Sequence, residues 1–180
     1  MSYKIIKDNS EQVIRVIDEK DPVGMKFYKT LINPNHFKLE YPGHKVSENP
    51  IVSENYHDCN AVILLGHGYS GLSHYDLKEG VPEEYIQNMI NEISNLTSLD
   101  GLCAVLLGGD TEHFNRNKQF LENLKIPIIG FYLDGRPEDE QVHFNLPGDG
   151  KNWGKQDLVV LPKTREVILY KEPKGYIKLT

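Results

Sequence analysis

Two residues in this sequence have the types and the spacing to do chemistry together. Cys59 heads the apolar run CNAVILLG, and His74 lies in SGLSHYDL, just after a Gly-rich turn. Only a thiolate attacks a carbonyl well, and a free thiol with a pKa of about 8.5 is mostly protonated at neutral pH, so such a nucleophile needs a base beside it. If the apolar run is a strand and the chain folds back after HGYSG, thiol and imidazole can meet, because hairpin partners face each other across a few ångströms. Spacing alone favours a plainer reading, in which Cys59 is a small core residue and His74 a satisfied surface histidine. Cys103, set mid-strand among the apolar residues of LCAVLL, is expected to be an inert core thiol.

Other constellations fail on context. Gly66, Gly68 and Gly71 in GHGYSG fit the dinucleotide pattern G-x-G-x-x-G after a strand. That pattern works only when the third glycine opens a helix facing the pyrophosphate, and LSHYDLKEGVP has no sustained helical stripe and contains Gly80 and Pro82. VILLGHG has the look of an oxyanion-loop strand, yet the serine elbow G-x-S-x-G is missing around Ser70. His57, Asp58 and Cys59 are adjacent, but neighbours on an extended chain point to opposite faces, and no C-x-x-C or H-E-x-x-H spacing occurs. No cofactor and no metal are expected.

What must position the thiol and the imidazole is one domain. A chain of 180 residues, 39% hydrophobic and 26% charged, can bury a core without disulfide staples. The net charge of −6 and the lack of any Lys/Arg cluster argue against nucleic acid as a partner. The start, MSYKIIKDNS, is polar, and no apolar run nears the ~18 residues of a membrane helix, so neither export nor membrane insertion is expected. Two cysteines are too few for a disulfide framework and point to the cytoplasm. Effectors sent out by dedicated secretion machines often lack a cleavable signal, so this inference concerns only the ordinary secretory route.

Along the chain, VIRVI has strand composition, CNAVILLG reads as a strand buried on both faces, and the segment after HGYSG reads as its returning partner. In that partner Leu72, His74 and Asp76 would face one way, with Ser73, Tyr75 and Leu77 facing the other. EGVPEEYIQNMINEISNLTSLDG predicts a helix: Pro82 suits its first turn, two acids follow, and Ile86, Met89, Ile90, Ile93 and Leu96 form one stripe. LCAVLLGG predicts another strand. It runs into a helix capped by Asp110 or Thr111, with Phe114, Phe120, Leu121 and Leu124 as its stripe. IPIIGFYL, QVHFNL, DLVVL and EVILY complete the strands, separated by turn clusters. The expected class is α+β: layered mixed β-sheets, sandwich-like at the core, flanked by about two helices.

From position 51 to about 172 the chain resembles the CheD family of bacterial chemoreceptor glutamine deamidases, relatives of the deamidating cytotoxic necrotizing factor toxins. IVSENYHDCNAVILL resembles the family's Cys segment and SGLSHYDL its His segment. LLGGD, NRNKQFLENLKIPIIG and KNWGKQDLVVLPKTREVILY resemble later family blocks in the same order. The resemblance implies Cys59 as nucleophile, His74 as general base, and Ser53, at the place of a family Thr, as the residue that orients the imidazole. It also implies a protein substrate of chemoreceptor type and a regulatory protein partner. Residues 1–50 would be an extension packed on or preceding a domain of residues 51–180. The family's Gly-Ser before the Cys is His57-Asp58 here. With that replacement, a catalytically degenerate binding module and another thiol hydrolase or transglutaminase stand beside the deamidase as alternatives.

Overall fold

The computed structural model describes residues 14–18, 37–56, 59–75, 80–107, 111–132 and 156–171. In chain order the elements are β1 (Ile14–Asp18), β2 (Phe37–Leu39), β3 (Gly43–Ser47), β4 (Ile51–Tyr56), β5 (Ala61–Leu65), β6 (Ser70–His74), α1 (Glu83–Leu96), β7 (Cys103–Leu107), α2 (Thr111–Asn123), β8 (Ile128–Tyr132), β9 (Gln156–Leu161) and β10 (Glu166–Lys171). The strands form two five-stranded mixed sheets, ordered β1-β10-β9-β4-β2 and β3-β6-β5-β7-β8. The expected α+β class with layered sheets is the one observed. The expected strand QVHFNL and the residues Asp76, Leu77 and Asp110 lie outside the described residues.

Alternation along the strands builds the layers. From β5, Ala61, Ile63 and Leu65 enter a core shared with Leu39, Ile51, Leu158, Val160 and Val167, which come from the other sheet. Val62 and Leu64, pointing the other way, pack with Ile86, Met89 and Ile93 of α1 and Leu121 of α2. The apolar run is thus buried on both faces because it is the central strand between a second sheet and a helical layer. The β7–β8 pair is parallel, which requires a crossover, and α2 supplies it.

The turn after β5 reverses the chain with Gly68 at φ +77° and a bond from Gly66 N–H to Tyr69 O, and β6 returns antiparallel. No helix opens at Gly71, the third glycine of the dinucleotide pattern; it lies within β6. There the lack of a side chain lets Met89 of α1 lie flat on the sheet, since a Cβ would sit 2.9 Å from the Met89 sulfur. In α1 the stripe is buried at Ile86, Met89, Ile90 and Ile93, whereas Leu96, expected on that stripe, is exposed at the helix end. Pro82 takes the capping position ahead of the helix, with extended backbone. Leu124 also falls past the end of its helix and is exposed.

Residues before position 51 are woven into both sheets: β1 pairs with β10, β2 with β4, and β3 with β6. No helix among the described residues is long and apolar enough to cross a membrane.

Candidate functional site

His74 ends β6 and is flanked by two residues with little or no side chain. Gly43 of β3 pairs with it directly. On the other side, the pairs Ile63–Leu72 and Asn60–Tyr75 put Ala61 opposite His74. A ring of this size fits between adjacent strands because its cross-strand neighbours leave the space. The ladder is also altered beside it. The Val62 N–H donates to Ser73 Oγ at 2.8 Å, and that hydroxyl in turn donates to Val62 O at 3.1 Å, so a side chain stands in the backbone ladder one step before His74.

The imidazole is held from the other sheet. Ser53 of β4, fully buried, lies 2.8 Å from His74 Nδ1, and its Oγ donates to Leu39 O of β2 at 3.2 Å. A carbonyl can only accept, so with the single hydroxyl hydrogen on Leu39 O the Ser53 oxygen accepts from Nδ1–H, and Nε2, which is also buried, then carries the lone pair. Leu39 and Ser53 are register partners in the parallel β2–β4 pair, which brings carbonyl and hydroxyl together. Between Ser53 and Tyr56 the β4–β9 register shifts by a residue, so the regular ladder is interrupted beyond Ser53.

Cys59 stands one step before Asn60, whose N–H and C=O both bond Tyr75, at 2.8 and 3.0 Å. This pins the backbone next to the thiol. The register sets Cys59 diagonal to His74 on the face they share with Ala61, and Cys59 packs against the inter-sheet core while remaining partly exposed. Diagonal neighbours across an antiparallel pair lie within side-chain reach. All three residues singled out in the sequence therefore come to one end of the sandwich: Ser53 bonds His74 directly, and the register sets Cys59 beside them. His57 and Asp58 lie outside the described residues.

Burial pushes the His74 imidazole down to about 4. The ring is therefore neutral at pH 7 and can receive a proton, while a standing imidazolium is disfavoured. Tyr41, in the bend between β2 and β3, sets its ring edge-on to the imidazole, with centroids 5.1 Å and planes 65° apart. Sequence reasoning missed both Tyr41 and the Leu39 carbonyl. A backbone acceptor leaves no mark in composition, and Tyr41 sits in a polar bend outside any apolar pattern.

Cys103 is buried, as expected, but it opens β7 instead of lying mid-strand, and its neighbours include a charge: its thiol is pushed up by burial and drawn back in part by the Arg165 guanidinium. Arg165 Nη2 lies 2.8 Å from its sulfur, 2.7 Å from Gly101 O and 3.2 Å from Leu65 O. The arginine has a structural role that the turn cluster between DLVVL and EVILY did not reveal.

Searches with the sequence find no matching family model and no matching curated protein.

Proposed function

We propose that the chain is a cysteine-dependent protein-glutamine deamidase with Cys59 as nucleophile, His74 as general base and Ser53 as the residue that orients the ring. The observation that supports the thiol hydrolase chemistry is the Ser53–His74 bond across the two sheets, with Leu39 O as the second partner of the Ser53 hydroxyl. When that hydroxyl donates to Leu39 O, Nδ1 carries the hydrogen and Nε2 is the basic nitrogen. The choice of a glutamine carboxamide as substrate rests on the resemblance to the CheD family, as do a chemoreceptor-like target and a regulatory partner. Neither cysteine is in a disulfide, which supports a reducing, cytoplasmic setting.

The cycle balances without any cofactor. His74 Nε2 takes the Cys59 proton as the sulfur bonds to the carboxamide carbon and the carbonyl electrons move to oxygen. Because burial disfavours a lone imidazolium, the proton moves as the sulfur attacks and not beforehand. Collapse of the adduct breaks the C–N bond, and the His74 proton leaves with the amine as ammonia. Water then gives a proton to His74 and its oxygen to the thioester carbon. The C–S bond breaks, the proton returns to sulfur, and glutamate remains. The Asn60 N–H is engaged by Tyr75 O and so is not a donor for the oxyanion.

The test is ammonia release from N-benzyloxycarbonyl-glutaminyl-glycine and from a glutamine-bearing protein, with the product identified by a mass gain of about one dalton. Cys59→Ala is expected to abolish release, and Cys103→Ala to leave it nearly unchanged. Equal release by wild type and Cys59→Ala removes the proposal, and a larger mass adduct with an added amine marks a transglutaminase instead.

A further inference from the structure

The stretch from Leu39 to Gly43 wraps the imidazole. Leu39 O holds the hydroxyl that orients the ring, Gly43 pairs beside it, and Tyr41 between them packs on its edge. His74 is 2% exposed, whereas Tyr41 is 50% exposed, so the tyrosine that packs on the proposed base also reaches solvent. A single exposed aromatic is ordinary. This one differs because its inner edge touches the proposed base and both flanking residues of its bend engage the same site. Cys59, partly exposed at the start of β5, opens on the same end of the sandwich.

From this placement we infer that Tyr41 is the substrate-facing wall beside the proposed thiol and imidazole. Its exposed part receives the methylene groups of the side chain whose carbonyl the thiol attacks, and so determines which side chains reach the sulfur. The inference rests on the thiol hydrolase reading above. Its chemistry is general: an aromatic face gains dispersion and apolar burial from aliphatic carbons, and a contact made equally in ground and transition states acts on KM more than on kcat.

The experiment compares wild type, Tyr41→Phe and Tyr41→Ala in two assays. In ammonia release from N-benzyloxycarbonyl-glutaminyl-glycine, Tyr41→Phe is expected to stay within about twofold of wild type, while Tyr41→Ala raises KM by roughly 5- to 20-fold with a smaller change in kcat. The second assay needs no deamidation. Alkylation of Cys59 by N-butylmaleimide and N-methylmaleimide, followed by peptide mass spectrometry, is expected to favour the butyl reagent in wild type and Tyr41→Phe and to lose that preference in Tyr41→Ala. If Tyr41→Ala does not fold, Tyr41→Asn takes its place with the same expectation. Wild-type KM together with a wild-type reagent preference in the truncated variant overturns the inference, and so does a fall in kcat alone. A protein that releases no ammonia but loses its reagent preference on truncation overturns the deamidase reading and leaves the wall in place.

Discussion

Ser53 carries two bonds that nothing else among the described groups is seen to replace, one to a carbonyl and one to an imidazole. Ser53→Ala leaves both partners buried without it, at a cost of about 1–3 kcal/mol in urea unfolding. It should also slow Cys59 alkylation, because the ring is then free to take the wrong tautomer; Ser53→Thr, which keeps the hydroxyl, should retain most of the rate. His74 makes a separate prediction. Its imidazole titrates near the ordinary value of 6.5 when unfolded and at about 4 when folded. Below pH 6.5 the unfolded chain therefore binds a proton that the folded ring refuses. The contribution of this group to stability is intact above pH 6.5, and on the order of 3 kcal/mol is lost as the pH falls to about 4. Urea midpoints of wild type and His74→Gln at pH 7, 5.5 and 4.5 should converge toward the acid end, and parallel curves would contradict the assignment.

At the scale of elements, α1 comes close to β6 at Gly71. A methyl group there meets Met89 at 2.9 Å from sulfur and 3.3 Å from Cβ. Gly71→Ala should cost about 1–3 kcal/mol, and combining it with Met89→Ala should cost less than the sum of the two, since truncation removes the obstacle. Legibility followed chemistry at this scale. β5, β6 and the α1 stripe could be read because burial on both faces, a Gly-rich reversal and a 3.6-residue period each leave a pattern. β2 and β3 could not. β2 is three residues long, and in GHKVS of β3 only Val46 is buried, so neither shows an apolar run. Cys59, His74 and Ser53 were legible as types in order. Their supports, Gly43, Ala61 and the Leu39 carbonyl, were not, because what matters there is a missing side chain or a main-chain oxygen.

Across the described residues, two sheets pack together and their packing sets the candidate site. His74 and Cys59 belong to one sheet and Ser53 to the other. At the opposite end of β5, Arg165, in the β9–β10 turn of the second sheet, reaches Leu65 O, Gly101 O and the Cys103 sulfur of the first sheet and its approach. Arg165 also holds left-handed backbone, φ 56°. Arg165→Ala should therefore lower stability by about 1–3 kcal/mol, and Arg165→Gly should recover part of that loss by relieving the backbone, a comparison that urea unfolding resolves. The Ser53–His74 bond and the Arg165 contacts thus tie the two sheets at opposite ends of β5, on top of the apolar core that the sheets share. Neither tie stands alone, so the candidate site inherits its spacing from a joint that is fastened along its whole length.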